Sequence, residues 1–403
     1  MSIDPPFLPY GRQTIDEADI AAVADVLRGD FLTTGPAVES YEETFAKAVG
    51  APFAVSCSSG TAGLHLATMA LGLGPGDYVI VPTVTFLASA NCAIFVGADV
   101  AFADVDPLTG LMSVEHAEAA AARVGRDRVK AIVAVHLNGH MVDISGLRKA
   151  FPDIPIIEDA CHALGGSLLD RTGKMQPVGA CADSDIAMFS THPVKTIASG
   201  EGGILTTKNE AIARRMKRFR SHGMIRQVGD FSNLDMALAP DGSVNPWYYE
   251  MAEPAPNYRL PDILAALAES QLSKLQGFVE KRRALRDLYV EQLEALSPLA
   301  RPIQVADRCE PAWHLSVALV DFAAAGTDRA TVMKTLREQG VGSQVHYIPV
   351  HRQPFYRQRY PNLLLEGAEL YYSQCLSLPL FPAMEEADVS RVVTALGQAL
   401  GAS

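Results

Sequence analysis

From Ala54 to Thr207 the chain repeats one pattern: a short continuous apolar run, a turn of small or polar residues, then a helical stretch. The apolar runs are Ala54–Ser56, Tyr78–Val81, Val100–Ala103, Ala131–Val135, Ile154–Ile157, Ile186–Phe189 and Ile204–Thr207. Strands that are apolar at every position have both faces covered, and the intervening helices supply the cover. The expected fold class is α/β with a central, mostly parallel sheet. Helices are expected at about 13–30, 38–49, 62–72, 86–96, 113–124 and 143–150, with Phe31–Pro36 as a loop between the first two.

The second half reads differently. Near 230–256 the pattern lapses into a polar, proline-containing stretch. A long helix is expected from Pro261 towards 295, with Ile263, Leu264, Leu267, Leu272, Leu275 and Phe278 on one face. After Pro302 the order becomes strand (Leu315–Val320), helix (about 328–339) and strand (Gln344–Tyr347), a compact α+β unit. A chain of 403 residues is too long for one small core. The expected organisation is a large domain over 1–255, whose N-terminal segment packs on the smaller one, and a linking helix plus small C-terminal α+β domain over 256–403.

Bulk properties exclude some functions. With 34 basic and 46 acidic residues the net charge is −12, which repels nucleic-acid backbones, so none is expected as a partner. Any phosphate-bearing ligand needs local donors. The six cysteines are scattered without a C-x-x-C pair, the pattern of reduced thiols in a cytoplasmic protein. Met1–Pro6 lacks the basic and apolar regions of a signal peptide, and no apolar run reaches membrane-spanning length.

The chemistry concentrates at strand ends. Glu158-Asp159-Ala160-Cys161-His162 closes one apolar run, and 36 residues after Asp159 comes Lys195, in Ser190-Thr191-His192-Pro193-Val194-Lys195, followed by Gly200-Glu201-Gly202-Gly203. An acid at a strand end and a Ser-x4-Lys beside a glycine turn are what a pyridoxal phosphate (PLP) site requires: an amine for a Schiff base and a carboxylate for the pyridine nitrogen. Ser58-Ser59-Gly60-Thr61-Ala62 is a strand-to-helix turn suited to a phosphate, or an ordinary helix cap. Phe86 follows a strand and either stacks on a planar ring or packs in the core. His162 lies near a ring or is a satisfied structural histidine. Asn257-Tyr258-Arg259 opens the long helix as a cap or as a ligand contact. His346-Tyr347-Ile348-Pro349-Val350-His351-Arg352 is a polar loop or a substrate-facing one, without metal-ligand spacing.

With these residues in order, the chain resembles the DegT/StrS-type sugar-nucleotide aminotransferases, PLP enzymes of the aspartate aminotransferase fold (fold type I). The resemblance runs from Phe31–Pro36 through Ser59–Ala62, Glu158–His162 and Lys195 to Asn257–Arg259. It implies that Lys195 binds PLP covalently and shuttles the proton, and that Asp159 keeps the ring nitrogen protonated. It also implies that Thr61, Ala62 and Ser190 hold the phosphate with Asn257 of a partner subunit, and that Phe86 stacks on the ring with His162 nearby. A homodimer with shared sites follows from the same resemblance. Thr191, where a second aromatic is usual, is a departure that leaves the chemistry intact.

Within the family, Tyr10–Gln13, Asn245–Met251 and Val345–His351 are most similar to the pseudaminic acid pathway branch. That likeness implies amination at C4 of a UDP-linked 4-keto-6-deoxy-N-acetylhexosamine, with L-glutamate as donor and Tyr10, Thr33, His346 and Tyr347 as substrate-binding residues. Alternatives are another nucleotide-linked keto sugar, a different fold type I activity such as a desulfurase, or a PLP-binding regulator. Relatives with His at the lysine position perform dehydration, and Lys195 argues against that here.

Overall fold

The computed structural model describes residues 6–306 and 308–402. Met1–Pro5, part of the segment read above as lacking a leader, lies outside the described residues.

Seven strands form the central sheet: β1 (Phe53–Cys57), β2 (Tyr78–Pro82), β3 (Asp99–Ala103), β4 (Val129–Val135), β5 (Ile156–Asp159), β6 (Ile186–Ser190) and β7 (Gly203–Thr207). Their order is β1-β7-β6-β5-β4-β2-β3. From β6 to β3 every neighbouring pair is parallel, whereas β7 runs antiparallel to both β1 and β6. The apolar runs seen in the sequence are these strands, almost wholly buried. Helices Gly60–Leu71, Leu87–Phe95, Val114–Val124 and Ile144–Ala150 return the chain between parallel strands, as covered sheets demand. The architecture is mixed α/β around a central, mostly parallel sheet, as the apolar runs lead one to expect.

The C-terminal part carries its own three-stranded antiparallel sheet of Ala300–Pro302, Ser316–Val320 and Cys375–Leu378. The last of these strands, rather than Gln344–Tyr347, completes it. Gln344 exchanges two backbone hydrogen bonds with Ser377 (3.1 and 2.8 Å), and the chain then turns away as a loop. Pro349 lacks an N–H, which disfavours a longer ladder. The loop docks instead on the end of β2, where the Val350 N–H donates to the Thr83 carbonyl at 2.7 Å.

The expected long helix is two, Asp262–Leu272 and Leu275–Leu293. The Ser273 hydroxyl donates to the Ser270 carbonyl at 2.6 Å, a local bond that competes with the helix ladder. Lys274 is drawn aside by Asp16 (2.5 Å) and Asp19 (2.7 Å) on the first helix. Of the expected apolar stripe only Leu272 is fully buried; Ala265, Ala268 and Val279 form the packed face. The polar stretch 230–256 is tied back to the chain before it by a two-residue strand pair, Met224–Ile225 with Glu250–Met251. The Glu250 carboxylate organises it by accepting from the Ser232 and Asn233 N–H groups, which pull its pKa down to about 2.

Edge strand β1 is anchored by a buried carboxylate. Glu42 accepts from the Ser56 N–H and hydroxyl, both at 2.9 Å, and pairs with Arg220. Removing one partner of a buried ion pair strands the other. Glu42→Ala is expected to cost about 3–5 kcal/mol, measured as a lowered denaturation midpoint.

Candidate active site

The register around β7 builds one end of the site. Gly203 pairs with Cys57 of β1 on one side and with Ser190 of β6 on the other. A Cβ on Gly203 would come within 2.6 Å of the Ser59 carbonyl, and one on Gly202 within 2.3 Å of Thr191 Oγ1. Only glycine lets these backbones close, which explains the glycine turn after Lys195. The loop 191–202 then folds on itself: the Ser199 N–H donates to the Thr191 carbonyl at 2.8 Å, and the two hydroxyls lie 2.6 Å apart.

Beside this turn begins the helix Gly60–Leu71, capped by Ser59, whose Oγ accepts from the Ala62 N–H at 3.1 Å. Its first-turn N–H groups lack intrahelical acceptors, and the partial positive charge of the terminus favours an anion. A Cβ on Gly60 would stand 3.1 Å from that of Ser190, so the glycine keeps open a hollow flanked by Thr61 and Ser190. Ala62 lies off the cavity wall, its N–H engaged by the cap.

Asp159 ends β5, at the carboxyl edge of the parallel strands where such sheets place ligands. Strand alternation sends Glu158 to the opposite face. There the His136 ring, which accepts the Val142 N–H at Nδ1, donates from Nε2 to Glu158 at 2.8 Å. The two adjacent acids therefore do different work: Glu158 is a satisfied structural group, and Asp159 opens on the cavity. A hydroxyl chain orients Asp159. Ser89 donates to its Oδ2 at 2.6 Å, which leaves Thr85, 2.7 Å away, to donate to Ser89.

Lys195 lines the same cavity, of about 670 Å³. Burial lowers its pKa from the ordinary 10.5, against the opposing pull of Cys161 and then Asp159, so a larger share of the amine is neutral and nucleophilic. Phe86 stands at the cavity edge, 56% exposed, with its ring 6.1 Å from that of Tyr347. His162 accepts the Asn138 N–H at Nδ1 (3.2 Å), which puts its proton on Nε2, facing the Tyr347 hydroxyl at 3.4 Å. Burial, then Lys195, holds its pKa well below the ordinary value. Burial likewise pushes His346 down to about 3, and His346 Nδ1 lies 2.8 Å from Ser377 Oγ.

The cavity thus gathers Tyr10, Thr61, Phe86, Asp159, His162, Ser190, Lys195, His346 and Tyr347. Thr33 and Asn257 lie outside it. Thr33 is exposed and bridged to Pro261; Asn257 is exposed, with its side chain accepting from the Arg259 N–H at 3.3 Å. Sequence reading missed His314, Gln344 and Gln353 on the wall. His314 sits in an apolar strand context, Trp313–Val320, and carries no local signal. No cluster of three metal-ligating side chains occurs among the described residues, nor any helix long and apolar enough to cross a membrane.

The residues fit PLP. The hollow at Gly60 and Ser190 would take a phosphate, Asp159 would meet the pyridine nitrogen, Phe86 would offer a ring face, and Lys195 would supply the amine. Fold and site define a PLP-dependent aminotransferase of fold type I. The chain belongs to the DegT/DnrJ/EryC1/StrS aminotransferase family, which matches residues 13–397, and is a sugar aminotransferase.

Solved structures agree. The aminotransferase TlmJ from Streptoalloteichus hindustanus is 26% identical, with 98% of this chain and 99% of that one covered at a TM-score of 0.85. The Streptococcus pneumoniae protein Spr1654 in its PLP form is 26% identical over 98% and 99%, at a TM-score of 0.83, and its PMP form also matches. Helicobacter pylori PseC, an aminotransferase involved in the biosynthesis of pseudoaminic acid, shares the fold at a TM-score of 0.86 and 24% identity over 98% and 100%.

Two outcomes are expected. Gly60→Ala narrows the hollow and weakens PLP binding by about tenfold, roughly 1.4 kcal/mol, read by absorbance titration with Lys195 intact. Because the Lys195 pKa is depressed, the neutral fraction is larger at any given pH. PLP capture by the apoprotein is expected to quicken with rising pH and level off below pH 10.5, followed by stopped-flow absorbance.

Proposed function

We propose that the protein transfers the amino group of L-glutamate to C4 of a UDP-linked 4-keto-6-deoxy-N-acetylhexosamine, the reaction of the pseudaminic acid pathway branch. The observation that carries this reading is the convergence of Tyr10, His346 and Tyr347 on the cavity that Lys195 also lines. These residues come from two of the three sequence blocks that resemble the branch. When bound, PLP supplies an electron sink for the carbon from which a proton is removed.

The chain's own residues do the rest. Lys195 is the covalent anchor and then the base and acid that moves the proton, a role helped by its lowered pKa. Asp159, held by Ser89, keeps a proton on the ring nitrogen. Thr61 and Ser190 hold the phosphate, and Phe86 covers the ring. His162, neutral with its proton on Nε2, presents a hydrogen-bond donor without adding charge. Tyr10, His346 and Tyr347 form the acceptor wall.

The same reading makes the protein a cytoplasmic homodimer. Phe31, Leu32, Phe86, Leu87 and Phe95 are large apolar side chains left exposed, as are Met236, Trp247 and Tyr249 on the 230–256 stretch. Large apolar side chains left exposed in this number fit burial against a second copy of the chain. Asn257 and Thr33, off the cavity of their own chain, serve the partner's site. The large domain over 1–255 and the small one over 256–403 close around the cavity from either side.

Lys195→Ala is expected to abolish transamination while circular dichroism shows an intact fold; normal turnover would remove Lys195 from the mechanism. In the wild type, L-glutamate should move the visible absorbance band of the bound cofactor to the near ultraviolet, and the 4-keto sugar should restore it. A band unmoved by glutamate rejects the donor. A band restored only by a 3-keto sugar assigns a different acceptor.

A further inference from the structure

Arg282, on the helix Leu275–Leu293, is 1% exposed and lies behind the cavity wall without lining it. Its Nη1 donates to the His314 carbonyl at 3.1 Å and to the Leu380 carbonyl at 2.7 Å. Burial pulls its pKa down to about 10, with no nearby charge to oppose it. Burying a guanidinium against neutral carbonyls alone is expensive. A chain that needed only packing here would do better with an apolar side chain.

Both carbonyls belong to segments that shape the acceptor wall. The His314 ring lines the cavity, 4.4 Å from the ring of His162. Leu380 passes the contact on: its N–H donates to the Tyr10 carbonyl at 3.1 Å, and the Tyr10 ring lies 5.6 Å from that of His346. The same helix face continues the pattern at positions i+4 and i+7. The Arg286 guanidinium lies 5.0 Å over the Trp313 ring, and the Tyr289 hydroxyl donates to the Pro379 carbonyl at 2.9 Å. One helix face therefore holds both 313–314 and 379–380.

We infer that Arg282 is a positioning residue: by bridging the carbonyls of His314 and Leu380 it holds His314, and through Leu380 also Tyr10, in register against Lys195 and Asp159. This rests on the reading of Tyr10 and its neighbours as the acceptor wall. Arg282 touches neither substrate nor cofactor, so its effect on the reaction passes through those two residues.

The test uses Arg282→Met, Arg282→Lys, His314→Phe and the double variant Arg282→Met/His314→Phe in the PLP-loaded enzyme. Arg282→Met is expected to raise KM for the keto sugar by about tenfold. The glutamate half-reaction, read from the cofactor band, should stay within about twofold. Arg282→Lys should recover part of the loss, and the double variant should lose clearly less than the sum of the two singles, because part of the Arg282 effect passes through His314. An unchanged KM, an equal fall in both half-reactions, or additive losses would overturn the inference.

If Arg282→Met does not fold, Arg282→Lys is read alone, with a KM rise expected and an unchanged KM overturning. Wild-type protein that accepts none of the keto sugars refutes the acceptor reading and leaves the clamp to crystallography. There His314 and Tyr10 must shift relative to Lys195 in the variant, and unmoved positions reject the clamp.

Discussion

One antiparallel strand in an otherwise parallel sheet sets the geometry on which the rest depends. By entering between β1 and β6, β7 brings Gly203 beside both Cys57 and Ser190. The helix start that follows β1 and the lysine loop that follows β6 thereby meet at one edge. Both approaches are closer than any side chain allows, and Gly202 and Gly203 are the concession. An anion cradle, an amine and the carboxylate at the end of β5 then face one cavity.

Electrostatics within that cavity follow from burial. The chain carries a net charge of −12, yet the cavity has to receive phosphate-bearing ligands. What it offers them is oriented N–H groups and hydroxyls at Gly60–Thr61 and Ser190 and the amine of Lys195. Three imidazoles on its wall, His162, His314 and His346, are pushed toward the neutral form by desolvation.

Much of this was legible in the sequence for physical reasons. Continuous apolar runs announce covered strands, and the Asp159–Lys195 pair with its glycine turn announces the cofactor. What failed were features decided by distant contacts. The break at Ser273–Lys274 depends on Asp16 and Asp19, more than 250 residues away in sequence. Gln344–Tyr347 has strand-like composition, but its partner Ser377 pairs with Gln344 alone before the loop is drawn to Thr83. His314 sits in a run that reads as plain core strand, and its place on the cavity wall is visible only once the two sheets are assembled.

The sequence alone determined the covered, mostly parallel sheet, the PLP-dependent class and the family, because each is written in local spacing: apolar runs, strand-end acids, glycines where backbones meet. Tertiary structure alone decided that β7 runs against its neighbours, that Glu158 and Asp159 take opposite roles, and that Arg282 reaches the wall behind His314. These depend on which face of a strand or helix meets which partner, and such pairings are selected by the packing of residues far apart in the chain.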